Sequence, residues 1–398
     1  GTVDWQTGSI KTGTFTAVSG EGYFVNTSGG VSTANLPAGS AGAIVSFSDY
    51  TRTFGTNTLT ITPNGSEKIG GVAASIYLSV NGQALTLVYV DATEGWINIQ
   101  NAEDTEEGIV PAFITATGGT ITCSGDYKIH TFTGPGTFTV CSAGNPLGSS
   151  TVEYLVAAGG GGGGSNGGGG GAGGFRFAAP SLSPLCYPAK PLSAPSSLTA
   201  TVTSYPITVG GGGSNTTYGT GTSTSGANSV FSTITSAGGG HGGSAPSPFP
   251  GAGAGGGSGG GGGGASLAGG PGNSPAVSPS QGNDGGSSAS PNANYGGGGG
   301  ALAVGTNGVD PSPGGPGGVG GGLPSGFGTS GESSGGYYYF SGGGGGGTNV
   351  SPGGPPGGSG GLGGGGNGSL QEATGEAGTA NTGGGGGGSA GGSSPGSG

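Results

Sequence analysis

The sequence GGGGGGSNGGGGGAGG at residues 159–174 opens a glycine-rich region that extends to residue 398. Further runs follow at Gly210–Gly213, Gly296–Gly300, Gly342–Gly347 and Gly383–Gly388. A segment without Cβ atoms cannot build a hydrophobic core, so it is either disordered or held together by backbone packed against backbone. This pattern decides the fold of more than half of the chain.

The composition of residues 159–398 separates this region from the rest of the chain. It holds 90 of the 113 glycines and 21 of the 26 prolines, but only seven charged side chains. Flexible linkers and disordered tails are usually polar or charged throughout, whereas this region is nearly neutral. On composition alone, a low-complexity disordered tail and an ordered glycine structure both remain open.

An ordered alternative is the polyglycine-II helix, which is left-handed with about three residues per turn. Its outward N–H and C=O groups need a neighbouring helix on every side. Turn-forming residues separate the glycine runs regularly, and isolated aromatic residues lie between them, which a spacer does not need. We therefore predict a bundle of polyglycine-II helices over residues 159–398, joined by turns rich in proline, serine and asparagine.

Residues 1–158 predict an all-β structure with no α-helical domain, because no sustained 3.6-residue apolar period occurs. We predict small antiparallel β-sandwiches: a module at 1–100, an acidic linker at 101–108 and a second module at 109–158. Within the second module, Ile129–Thr133 and Thr137–Val140 predict a hairpin across a three-residue turn. At about 50 residues this module is small, so we expect it to depend on its neighbours or on another copy for burial.

Chemistry-bearing motifs are scarce. No lysine follows a glycine in a phosphate-binding pattern, and the acidic residues of 101–108 fit a solvated loop better than a pair of catalytic carboxylates. We predict no enzyme activity, no cofactor and no metal site. Cys123 and Cys141 flank the predicted hairpin and fit either a disulfide or free thiols, whereas Cys186 has no counterpart.

The net charge of −11 argues against nucleic acid and against an anionic membrane surface as partners. No apolar stretch reaches the roughly 18 residues that a membrane span requires, so no membrane insertion is expected. Methionine is absent, which suggests a fragment or a processed product.

Several stretches of this sequence resemble a known family. Residues 127–133 (YKIHTFT), then 136–140 (GTFTV) and 152–164, resemble the glycine-rich domain of bacteriophage tail fibres and related adhesins. Shorter stretches match the same pattern at 173–176, 204–210 and 229–235. Residues 4–99 are similar to a β module common in tail fibres of marine phages.

The resemblance implies a receptor-binding protein on the virion tail fibre, outside the cell. In such adhesins a polyglycine-II scaffold displays variable loops that touch an outer-membrane protein or a surface polysaccharide of the host. Other tail-fibre subunits are the expected neighbours, with the chain either a homotrimer or a monomeric tip. Aromatic residues between the glycine runs become the candidate receptor-binding residues: Tyr337, Tyr338, Tyr339, Phe340, Tyr295, Phe249 and Phe327.

Two other classes of protein compete with the adhesin. A structural component of an extracellular glycine-rich filament or sheath uses the same runs for lateral assembly. An ice-binding protein exposes a flat face of threonine or serine, and the aromatic residues and proline turns argue against it. Neither the host nor the receptor follows from the sequence.

Overall fold

The chain is all-β, as predicted. A computed structural model describes residues 3–100, 111–145, 148–180, 182, 184, 186–215, 223–245, 251–264, 267–289, 294–310, 313–349, 354, 356–390 and 394–398. Among them the only helical segments are two 3-10 turns, Lys190–Leu192 and Ser325–Phe327. The chain forms two compact units, residues 1–113 with 144–149 and residues 114–143 with 150–398.

The first unit consists of two sheets that the chain visits alternately. One has the strand order β1-β3-β5-β8-β9 and the other the order β2-β4-β6-β7. The strands are β1 Asp4–Trp5, β2 Thr14–Thr16, β3 Glu21–Val25, β4 Ser32–Asn35, β5 Ile44–Asp49, β6 Leu59–Thr62, β7 Ile76–Leu78, β8 Ala84–Asp91 and β9 Gly95–Asn98.

The predicted antiparallel sandwich is wrong for the first six strands. β1, β3 and β5 pair in parallel, as do β2, β4 and β6, and only β7, β8 and β9 pair antiparallel with their neighbours. Parallel neighbours need a crossover. Here each crossover passes through the opposite sheet, so the chain winds in successive coils.

The core of this unit lies between its two sheets. Tyr23, Phe47 and Trp96 of one sheet share a buried cluster with Leu59 and Ile61 of the other. Side chains alternate in and out along each strand. The outward positions of the second sheet are therefore polar and align in two rows, Thr14–Thr33–Thr60 and Thr16–Asn35–Thr62.

The second unit combines small sheets with the glycine region. A five-stranded sheet has the order β10-β13-β18-β19-β20, and a three-stranded sheet has the order β21-β23-β22. The described residues of this unit also form three strand pairs, β11-β12, β14-β17 and β15-β16. The strands are β10 Thr115–Thr117, β11 Thr120–Ser124, β12 Tyr127–Thr131, β13 Gly136–Ser142, β14 Thr151–Val152, β15 Tyr154–Ala157, β16 Phe175–Ala178, β17 Leu198–Thr199, β18 Ser204–Thr208, β19 Ser229–Phe231, β20 Ile234–Ser236, β21 Gly321–Leu323, β22 Glu332–Ser334 and β23 Tyr337–Phe340.

Residues 109–158 do not form a separate module. β13 pairs with β18 and β15 pairs with β16, so most of this stretch belongs to the unit that holds the glycine runs. Such a short stretch cannot bury a core alone, and here later strands of the same chain supply the missing partners. The predicted linker at 101–108 lies outside the described residues.

The predicted hairpin between Ile129–Thr133 and Thr137–Val140 is wrong. β12 pairs instead with β11, across a two-residue turn at Gly125 and Asp126. Gly125 has φ +55°, the left-handed conformation that tight hairpin turns require. The β11–β12 turn has two residues, one fewer than the predicted turn between β12 and β13. β13 pairs instead with β10 and β18.

The glycine region is held by hydrogen bonds between backbone segments. All eight amides of run 167–174 donate to carbonyl groups of runs 237–243, 296–299 and 383–389. Runs 158–164, 258–261 and 344–347 donate to its carbonyl groups in return. The residues of 167–174 are buried although they carry no side chain larger than that of Ala172.

Contacts with a given neighbour repeat every three residues. The amides of positions 167, 170 and 173 donate to the carbonyl oxygens of 389, 386 and 383 at 2.8–2.9 Å. A Cβ atom on Gly170 would lie 2.0 Å from the carbonyl oxygen of Gly161, and one on Gly169 would lie 2.0 Å from that of Gly344. The glycine sequence is therefore a steric requirement of this packing.

Candidate functional site

The directions of the glycine runs give the second unit two different ends. Around run 167–174, five of the neighbouring runs are antiparallel and only 296–299 is parallel. Gly164, Gly167 and Gly243 therefore lie at one end, which we call the loop end. Ala158 and Gly174 lie at the other, which we call the strand end because β15 and β16 adjoin them.

Connections between runs reach the loop end repeatedly. The described residues that flank these connections include Asn166, Ala245, Leu267, Val309, Thr348, Glu372 and Ala390. Leu267 accepts a backbone hydrogen bond from Ser288, and its Cδ1 would lie 2.1 Å from a Cβ on Gly251. Leu267 is 38% exposed and Val309 is 54% exposed. The loop end thus presents apolar side chains to solvent.

The loop end is acidic to neutral. After Lys190 the sequence contains no lysine or arginine. Asp310 and Glu372 lie at this end and are both exposed. Such a surface suits a neutral or basic ligand and disfavours a polyanion.

Tyr337–Phe340 lie elsewhere, at the strand end. They form β23, the central strand of the sheet β21-β23-β22. Phe340 is only 5% exposed, and Tyr337 and Tyr338 pack against the same buried cluster, which also contains Phe175 and Phe177. The Tyr339 ring lies over Gly322, where a Cβ atom would come within 2.8 Å of it.

This placement corrects part of the predicted receptor-binding set. Phe340 and Tyr295, which is 2% exposed, are buried and cannot contact a receptor. Phe327 is half-buried, 6.3 Å from the Phe177 ring, and belongs to the same cluster as Phe340. Phe249 lies outside the described residues. Isolated aromatic residues in a glycine-rich sequence are needed here to fill the few apolar clusters.

Tyr187 belongs to the same buried cluster as Phe175 and Phe340. Burial, with a smaller contribution from Glu153, raises the pKa of Tyr187 to about 12. The Lys190 ammonium group lies 5.6 Å from the centre of the Tyr187 ring. These residues form a packed structural cluster at neutral pH.

The cysteines and acidic residues do not assemble a chemical site in the described part of the chain. Cys123, Cys141 and Cys186 are free and exposed, so the disulfide alternative does not hold. Within the described ranges, no three His, Cys, Asp or Glu side chains are grouped as metal ligands. No helix among the described residues has the length and apolarity of a membrane span.

Sequence comparison identifies the family of the second unit. A family model described as a glycine-rich domain matches residues 131–398, about two thirds of the chain. The chain therefore belongs to this glycine-rich domain family. A search of curated proteins found no match. The match begins at the last residue of β12, so it includes β13, β14 and β15, which precede the first glycine run.

Leu267 and Val309 were not predicted as candidate residues. Each is a single apolar residue within a turn segment, and nothing local distinguishes it from a spacer. Their shared location follows only from which glycine runs lie side by side.

Proposed function

We propose that this protein is a phage tail-fibre adhesin that attaches the virion to a host cell through the loop end of its second unit. Its partner is an outer-membrane protein or a neutral surface polysaccharide of the host. It works as a homotrimer with other tail-fibre subunits and is not an enzyme. The observation that carries the proposal is the repeated return of connections to one end of a glycine scaffold.

We infer that the scaffold is a polyglycine-II bundle. The three-residue repeat of the hydrogen bonds between runs 167–174 and 383–389 supports this inference, since polyglycine II has about three residues per turn. Backbone hydrogen bonds hold such a bundle together, so the loop sequences are free of core constraints. Host-range variation can then proceed at the loop end without unfolding the protein.

A pair of matched valine substitutions tests the adhesin. Val309 is exposed at the loop end, whereas Val319 is 37% exposed near the strand end. Val309→Ser and Leu267→Ser should each weaken binding of the purified chain to host envelopes by about tenfold, as expected for residues near the centre of an interface. Val319→Ser should leave binding unchanged.

The measurement is retention of the fluorescently labelled chain on outer-membrane envelopes from a panel of bacteria. Absence of retention on every envelope, together with self-assembly into filaments, would favour the filament or sheath component instead. Equal loss of binding in all three variants would argue that the loop end has no special role.

One observation favours the ice-binding candidate. The two polar rows on the sheet β2-β4-β6 contain five threonines and Asn35, and a regular threonine-bearing face is what such a protein exposes. The rows cover only three strands and end beside Tyr77, which pairs with Thr60. Inhibition of ice recrystallisation by the wild-type chain, abolished by Thr33→Lys, would support this candidate over the adhesin.

A further inference from the structure

The first unit carries a row of aromatic rings on the outer face of the sheet β1-β3-β5-β8-β9. Tyr23 and Val25 of β3 point into the core, so Phe24 between them points outward. The ring centres of Trp5 and Phe24 are 4.9 Å apart, and those of Phe24 and Tyr50 are 6.4 Å apart. The three rings therefore form a continuous row.

The rings of this row are more exposed to solvent than rings that pack in a core. Trp5 is 38% exposed and Tyr50 is 56% exposed, whereas the other tryptophan, Trp96, is fully buried. An exposed aromatic row that serves no core has a cost in water, because apolar surface stays hydrated. A ligand that covers the rings would recover that cost.

Gly22 lets the Trp5 ring lie against the sheet. Trp5 pairs directly with Gly22, and a Cβ atom on Gly22 would come within 2.8 Å of the indole atoms Cδ2 and Cε3. With no side chain at position 22, the indole covers the backbone of β3. One face of the ring lies against the sheet, and 38% of the Trp5 surface stays exposed to solvent.

A cleft without charged lining residues lies next to the row at Asn26, two residues after Phe24 in the chain. The cleft has a volume of about 350 Å³ and is lined by Thr12, Asn26, Ser28, three glycines and Val31, none of them charged. Its volume falls at the small end of the about 300–1,000 Å³ range of ligand pockets.

Asn26 connects the cleft to the aromatic row. It lines the cleft, and its Oδ1 accepts hydrogen bonds from the Ser28 amide and from the hydroxyl of Thr51, the residue after Tyr50. Among the described residues, none accepts a hydrogen bond from Asn26 Nδ2. That group is left as a donor for a ligand.

From this arrangement we infer that the row Trp5–Phe24–Tyr50 and the adjoining cleft bind an uncharged saccharide. The apolar C–H face of a sugar ring stacks on the negative face of an aromatic ring. Its hydroxyl groups then exchange hydrogen bonds with the neutral amide and hydroxyl groups of the cleft. A charged glycan would find no complementary charge among the residues that line this cleft.

Glycan retention tests the site on the full chain. The probe is a printed array of neutral hexasaccharides built from glucose, galactose, mannose and N-acetylglucosamine, beside sialylated and sulfated glycans. The wild-type chain should retain at least one neutral glycan, and Trp5→Ala and Tyr50→Ala should each weaken its apparent affinity at least tenfold. Trp5→Phe should keep most of the binding, because it keeps a ring over Gly22.

Tyr77→Ala is the matched control, since Tyr77 is 45% exposed on the other sheet of the same unit. Retention of no neutral glycan by the wild type, or equal weakening by Tyr77→Ala, would overturn the inference. So would a change in oligomeric state caused by Trp5→Ala without glycan, since the row would then pack against a second copy. The site lies in the first unit, so glycan retention can persist even if envelope binding through the loop end fails.

Discussion

Gly170→Ala is the sharpest test of the glycine packing, because Gly170 lies inside a run whose eight amides all donate to neighbouring runs. The new Cβ atom would lie 2.0 Å from the carbonyl oxygen of Gly161, whereas real Cβ contacts are essentially never shorter than 3.0 Å. The run 158–164 must therefore move by about 1 Å, since backbone cannot rotate away as a side chain can.

The displacement weakens the hydrogen bonds between the two runs. Ala158, Gly161 and Gly164 donate to carbonyl oxygens of run 167–174 at 3.1, 2.8 and 2.7 Å. Each bond contributes about 0.5–1.5 kcal/mol net. Loss of the three lowers the free energy of unfolding by roughly 2–4 kcal/mol, near the upper end of the about 1–3 kcal/mol typical of overpacking.

Gly211→Ala is the matched control. Gly211 is an exposed glycine in run 210–213, and a Cβ atom there meets nothing within 4 Å. We expect its effect on stability to stay within about 0.5 kcal/mol, or to be a small gain from the stiffer unfolded chain.

Scanning calorimetry and amide hydrogen exchange measure both variants. Gly170→Ala should melt several degrees lower and lose exchange protection across runs 158–164 and 167–174. Indistinguishable melting of the two variants, with unprotected amides in both, would refute the conclusion that these runs are packed against one another.

Three further predictions concern single side chains. Burial alone would raise the pKa of Asp49, but hydrogen bonds from the amides of Gly82, Phe54 and Thr53 outweigh it and lower that pKa. The stability that this carboxylate contributes is therefore complete above the unfolded value of about 3.9 and is lost as the pH falls through the lowered pKa. Asp49→Asn should flatten the acid limb of a urea-denaturation profile; an unchanged limb would contradict this. Phe340→Ala should cost about 3–5 kcal/mol, measured by denaturant unfolding, whereas an effect below about 1 kcal/mol would place Phe340 outside the core. A thiol reagent should modify Cys123, Cys141 and Cys186 without denaturant. Modification of fewer than three would mean that a thiol is bridged or covered.

Serine substitutions at Tyr337, Tyr338 and Tyr339 have two different expected outcomes, depending on whether these side chains bind a receptor or pack inside the protein. If the three tyrosines were exposed receptor-binding residues, their replacement by serine would not change the stability of the protein. Since Tyr337 and Tyr338 pack against the buried cluster around Phe340, their replacement should lower stability. Melting data are therefore needed before any loss of adsorption is assigned to the receptor.

The sequence alone determined the class of the fold. The absence of a sustained 3.6-residue apolar period predicted the all-β structure of the first 158 residues, because such periodicity is local to each segment. The glycine runs predicted packing without side chains, because only a chain without Cβ atoms allows backbones to approach so closely. These features depend on residues close together in the sequence.

The tertiary structure decided the rest. The parallel pairing of β1, β3 and β5 joins residues some 17 to 24 positions apart, and nothing within a single strand encodes its partner. Likewise, Tyr295 and Phe340 resemble recognition residues in the sequence, but their exposure depends on which distant runs enclose them. Glycine runs are nearly identical to one another, so only the folded chain determines which runs become neighbours, which connections share one end and which aromatic rings stay in water.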